Sequence, residues 1–142
     1  ADVARYRKKI SGPLLDRFDI IIEVPPVSPA SLLGKPDGES SAAIRERVVA
    51  ARARQMQRYA DTGAVCNARL SGKKLRQYCP LTPPQQQMLL DAVAQLGLSA
   101  RAFDRILRVA RTIADLAGCE QPTDAHLYEA IQFRQFECQL RG

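Results

Sequence analysis

Hydrophobic and polar positions divide the chain into two unequal parts. From Asp19 to Val24 the run "DIIIEV" is nearly continuous in β-branched residues and is closed by Pro25-Pro26, a pattern that predicts a short buried strand. Upstream, Gly12-Pro13 breaks the chain. "PLLDRF" then reads as one helical turn that opens on Pro13, and residues 2–9 read as the end of a helix. Downstream, residues 25–38 ("PPVSPASLLGKPDG") hold four prolines and two glycines and predict a linker, in which "SLLG" could dock on a surface.

After the linker the apolar period becomes helical. Residues 40–60 suit a long helix capped by Ser40 or Ser41 and ended by Gly63, with Ile44, Val48 and Ala51 on one face. "SGKKLRQYC" predicts a short helix capped by Ser71. Thr82-Pro83 opens a helix that closes at Gly97, and Ser99 caps another that runs to about Leu116 and stops near Gly118. Thr123 caps the last, which turns Leu127, Ala130 and Ile131 inward. The expected fold is mainly α. A helical bundle over residues 39–142 follows the linker 25–38, and residues 1–24 look like the tail of an α/β unit.

A chain of 142 residues, 46% of them apolar, can bury a real core and is not disordered wholesale. No apolar run is long enough for a membrane span, and no secretory signal pattern opens the chain. The chain starts at Ala1 inside the helical-looking "DVARYRKK", so a piece of a longer, cytoplasmic protein is expected. Cys66, Cys79, Cys119 and Cys138 are scattered, form no CxxC pair and have one histidine, His126, for company. That spacing argues against a metal site and for reduced thiols.

The formal net charge of +6 is uneven, with clusters at Arg5–Lys9, Arg45–Arg58 and Arg101–Arg111. Each favours a polyanionic partner such as DNA or nucleotide phosphate, although a solvated helix face explains any one of them better. On the helix from Ala100, Phe103, Ile106, Leu107, Ala110, Ile113 and Ala114 gather on one face; Arg101, Arg105 and Arg108 fall on the other, with Arg111 at the margin. Arg101 occupies the first turn, where the free N–H groups attract phosphate. Arg17 stands between Asp16 and Asp19 at the strand mouth. Spacing alone favours a local ion pair there over an arginine aimed at a phosphate.

Catalytic signals are otherwise thin. "SGKKL" lacks the first glycine and the Ser or Thr of a P-loop, and no HExxH, GxSxG or dinucleotide fingerprint occurs. His126 lacks a nucleophile partner and suits a partly buried structural role. Asp115, Asp124 and Glu129 read as caps and surface charge.

Taken in order, "RYRKKISGPLLDRFDIIIEVPPV", "GESSAAIRERVVAARARQ", "LSARAFDRILRVARTIADLAG" and "HLYEAIQFR" resemble the C-terminal part of the magnesium-chelatase-like AAA+ ATPases, ComM (YifB-like) branch. The resemblance covers essentially the whole chain. It implies that residues 39–142 are a helical lid and that Asp19–Val24 is the last strand of a truncated ATPase core. It implies that Arg17 is an arginine finger acting in trans, with Asp16 beside it, and that Arg101 is a sensor-2 arginine; Arg105 and Arg108 join it as candidate nucleotide contacts. ATP and Mg2+ would be bound by the full-length parent, a homo-oligomeric, hexameric ring that acts on DNA in recombination, branch migration and transformation. The fragment alone lacks the Walker motifs and would be inactive, bind no cofactor and be monomeric. Two further readings stay open: a free-standing basic helical module that binds DNA or protein, and the motor subunit of a metal chelatase.

Overall fold

The computed structural model describes residues 12–15, 17–29, 38–70 and 72–141, with side chains described between 14 and 135. The expected helix end at 2–9, Asp16, the "SLLG" segment and the Ser71 cap lie outside the described residues. A single helical turn, α1 (Gly12–Leu15), precedes α2 (Ser41–Arg58), a 3-10 turn (Asn67–Arg69), α3 (Gly72–Tyr78), α4 (Pro83–Gln95), α5 (Ala100–Leu116) and α6 (Asp124–Arg141). The fold is mainly α, as the periodicity predicts.

Local chemistry explains where these helices begin and end. Ser40 accepts from the Ala43 N–H and Ser99 from the Ala102 N–H, so both hydroxyls satisfy donors that the first turn cannot pair. Thr82 and Gln85 form a reciprocal capping box, with Pro83 directly behind it. Gly97 and Gly118 adopt φ of 57° and 75° after α4 and α5, left-handed conformations that stop a helix. At the start of α6, the Thr123 N–H donates to His126 Nδ1 at 3.2 Å, which gives the half-buried histidine the structural role expected of it.

α5 is the axis of the bundle: α2, α3, α4, α6 and the 3-10 turn all pack on it, and α4 also packs on α6. Ala102, Ile106, Leu107, Val109 and Ala110 of α5 meet Leu75, Leu89, Leu127 and Ala130 in one buried core. The inward face expected for α6 is confirmed by buried Leu127, Ala130 and Ile131.

Three expectations need correction. Asp19–Val24 forms no strand: it runs extended, with Ile20, Ile22 and Val24 exposed, because no second strand among the described residues can pair with it. On α2, Ala51 of the expected face is buried, but Ile44 and Val48 are exposed and Gln55 is buried in their place. Finally, Asp115 is no surface charge. It is fully buried, and so is Arg111, placed at the margin of the apolar face.

These two residues anchor a polar network inside the core. Asp115 Oδ1 accepts from Arg111 Nη2 at 2.9 Å and from Arg58 Nη2, while Oδ2 accepts from Arg58 Nη1 at 3.1 Å and Asn67 Nδ2 at 2.9 Å. Its backbone carbonyl accepts from Arg54 Nη1 at 2.9 Å. Arg111 also caps the chain after α5 by donating to the carbonyls of Cys119 and Glu120. Asn67 in turn receives the Tyr59 hydroxyl at 2.6 Å and donates to Thr112. One carboxylate therefore joins α2, the 3-10 turn and α5.

Burial would push the Asp115 carboxyl up, but hydrogen bonds from Arg58 and Asn67 and the Arg111 charge outweigh it and hold the group below its ordinary value. A folded-state value below the unfolded one means that this stabilisation is complete above the unfolded pKa. It is lost as pH falls through the folded value. Removing one partner of such a buried pair costs about 3–5 kcal/mol. Asp115→Asn should therefore lower unfolding free energy by that order near neutral pH, measured by urea titration, and the gap to wild type should narrow as the pH drops into the acid range.

The thiols differ for the same reasons. Burial pushes Cys79 up to about 11. Burial acts upward on Cys66 too, but Arg52 and the Ala68 and Arg69 N–H groups overcome it and lower its value. Alkylation of the folded chain at mildly alkaline pH should mark Cys66 well before Cys79, read by peptide mass.

Candidate nucleotide-facing site

Arg17 sits in the turn that follows α1, and its side chain is exposed. The turn is closed by the Arg17 N–H to the Leu14 carbonyl at 2.9 Å and the Phe18 N–H to the Leu15 carbonyl at 3.1 Å. Leu15 is buried beneath it. Three tethers then fix the segment to the bundle. Fully buried Arg134 of α6 donates to the Phe18 carbonyl, the Ile21 N–H donates to the Phe133 carbonyl at 3.3 Å, and Asp19 Oδ1 receives Arg105 Nη1 at 2.6 Å. Hence Asp19 pairs with α5 and not with its neighbour Arg17, and no ion pair to Arg17 exists among the described residues.

Arg101 is exposed on the first turn of α5, a turn without acidic residues. Its position leaves the helix N-terminus and the guanidinium on the same end of α5, an arrangement suited to an anion. Arg105 lies one turn further on, and the Asp19 bridge uses its charge. Arg108 is half-buried in a cleft of about 310 Å³ lined also by Ile20, Val109, Ile113 and Phe133, and its Nε has no hydrogen-bond partner among the described residues. So the four arginines separate. Arg17 and Arg101 are exposed and have no ion pair among the described residues, Arg105 ties the Arg17 turn to α5, and Arg108 is partly enclosed.

One signal of these tethers is present in the sequence. Arg134 follows Leu127, Ala130 and Ile131 at helical spacing, which places it on the buried face of α6 and requires it to find an acceptor. The acceptor is a carbonyl more than a hundred residues away, which no local pattern shows. Among the described residues no group of three or more His, Cys, Asp or Glu could hold a metal ion. No described helix is long and apolar enough to cross a membrane.

Residues 38–134 match the family described as magnesium chelatase, subunit ChlI C-terminal, and residues 1–32 match magnesium chelatase, subunit ChlI. The chain belongs to this family, as the order of its motifs implied. Among individual proteins, it is 45% identical over 133 residues to competence protein ComM of Haemophilus influenzae, covering 93% of this chain and 25% of that protein. It is 42% identical over 135 residues to the uncharacterized protein YifB of Escherichia coli, covering 94% and 26%. The YifB protein of Salmonella typhimurium matches over the same length at 42%. The chain spans about a quarter of the length of the curated relatives it matches.

An ion pair as exposed as Asp19–Arg105 contributes at most about 1 kcal/mol, so its effect should be local. Asp19→Ala should leave the unfolding midpoint nearly unchanged while amide exchange at residues 17–21 accelerates. Unchanged exchange would show that the bridge does not hold the turn.

Proposed function

We propose that this chain is the sensor and lid portion of an AAA+ ATPase that couples ATP hydrolysis to DNA remodelling. The observation that carries this reading is the treatment of Arg17: its turn is held at three points, yet its side chain is exposed and has no ion pair among the described residues. A surface arginine kept only for solubility needs no such mount. An arginine that must meet a phosphate held by another subunit does, because misplacement by about 1 Å costs rate.

In this reading Arg17 acts in trans as the finger, with Asp16 beside it, and offsets charge on the phosphoryl group of a neighbouring subunit's nucleotide. Fingers of this kind contribute roughly 10³–10⁵ in rate. Arg101 provides the second cation, from the lid. ATP and Mg2+ would be held mainly by the parent's own residues, and this chain supplies guanidinium groups to the nucleotide phosphates. Because Asp19 links the finger turn to α5, a change in the Arg101 end of α5 can reach the Arg17 turn through a single side-chain bridge. Arg105 and Arg108 would approach nucleotide only after leaving their present environments.

DNA as the parent's substrate is supported by the net charge of +6 and by likeness to a protein named for competence. The chain alone offers little to a polyanion, since Arg54, Arg58, Arg105 and Arg111 are all engaged internally. The parent would be a cytoplasmic, hexameric ring, and the isolated fragment catalytically silent. The family description favours one second reading, the motor of a metal chelatase, which would work through a protein partner.

In the full-length parent, Arg17→Ala should abolish ATP turnover while nucleotide binding stays close to wild type. Mixing it with a subunit that lacks the nucleotide-binding lysine should restore part of the turnover. Near-normal turnover of the single variant would remove the finger assignment, and absence of rescue would remove its action in trans.

A further inference from the structure

Charge is segregated along this chain in a way that the nucleotide reading does not use. The chain holds 21 Lys and Arg residues, yet none lies between Arg76 and Arg101 or between Arg111 and Arg134. Those two gaps supply α4 and residues 124–133 of α6. Between these helices run two adjoining grooves of about 570 and 770 Å³ that share Met88, Tyr128 and Gln132. The floor is apolar, with Met88, Tyr128 and Ile131. Among the described residues that line it, the charged ones are Asp91, Asp124 and Glu129, all acidic.

The complementary surface is on α2. Ile44, Val48, Val49 and Met56 are exposed there, and Arg45 and Arg52 stand among them. Arg45, Val49, Arg52 and Met56 recur at three and four residues and form one stripe along the outer face. Apolar groups between the arginines are ill suited to a phosphate backbone and well suited to an apolar groove with acidic walls. The acidic groove likewise repels DNA.

We propose that the α4–α6 groove receives α2 of a second copy of this chain. Apolar contact between the α2 stripe and Met88 and Tyr128 supplies attraction, and Arg45 and Arg52 facing Asp91, Asp124 and Glu129 set the orientation. Groove and stripe are separate surfaces that flank α5, so the contact is heterologous. Repeated, it generates a ring or an open filament and not a two-fold pair. The contact needs neither nucleotide nor Arg17, so it can fail while the ATPase reading stands, and the reverse.

The test is sedimentation velocity on the 142-residue chain from micromolar to submillimolar concentration, at low and high salt. Wild type should associate reversibly, and more weakly as salt rises. Asp91→Lys with Glu129→Lys, and separately Arg45→Glu with Arg52→Glu, should each weaken association by about tenfold or more. All four positions are exposed, so both variants should fold, checked by circular dichroism. Mixing the two variants should restore association, because each then offers the charge that the other now lacks. A chain that stays monomeric throughout overturns the proposal. So does association that neither charge reversal changes, or a mixture that fails to recover it.

Discussion

A single buried carboxylate holds this helical domain together. The apolar face of α5 explains why helices gather on it, but hydrophobic contact is non-directional and would tolerate several arrangements. Asp115 is selective. It requires Arg58 from α2, Asn67 from the 3-10 turn and Arg111 from its own helix at once, because any missing donor leaves buried charge uncompensated. The network therefore fixes the register of α2 against α5. It also ties down the chain beyond Gly118, through the Arg111 bonds to Cys119 and Glu120. Burial of Arg111 and Asp115 is costly in itself, and the return is a bundle with one geometry.

That geometry matters at the other end of α5. Arg101 and Arg105 sit in its first two turns, and Asp115 in its last. A helix fixed at its C-terminal end by four donor bonds from α2 and the 3-10 turn and along its length by apolar contacts acts as a rigid rod. Whatever is attached to its N-terminal end inherits that precision. The Arg17 turn is attached there, through Asp19 to Arg105, and is braced from α6 by Arg134 and the Phe133 carbonyl. These tethers differ in strength. A charged donor on a backbone carbonyl is worth about 1.5–3 kcal/mol, and an exposed ion pair at most about 1. The α6 brace would therefore outlast the α5 link if the turn were pulled, leaving Asp19–Arg105 as the contact that yields first.

What the sequence revealed follows from how local each signal is. Ser40, Thr82, Ser99, Gly97 and Gly118 act within one turn of themselves, and all mark helix ends where expected. The faces of α5 and α6 were also readable, since 3.6-residue periodicity is carried by neighbours in sequence. Arg111 and Asp115 break the general rule that charge marks exposure. Yet Arg111 lies four residues after Leu107 and three before Ala114, inside the apolar stripe, and an arginine there must find buried acceptors. Its partners Arg58 and Asn67 lie far away in sequence, out of reach of any spacing rule. For the candidate site, the residues were identifiable through the order of the motifs. The tethers that hold Arg17 were not, because they connect residues 18–21 to 105, 133 and 134.

The one element that failed to form is informative for the same reason. In Asp19–Val24 every side chain except that of half-buried Ile21 is exposed, as in an extended segment with no sheet to cover either face. A strand's backbone groups are satisfied by its neighbours, so its stability is never a property of the segment alone. Local pattern thus identifies the conformation the segment favours, while formation depends on a partner strand. The Arg17 turn at its root does not wait for that partner: Leu15, Arg134 and Phe133 already hold it against the helical domain. An exposed arginine anchored in this way keeps its relation to α5 whether or not the adjoining segment is paired, and that independence would let the Arg17 turn move with the helical domain as a unit.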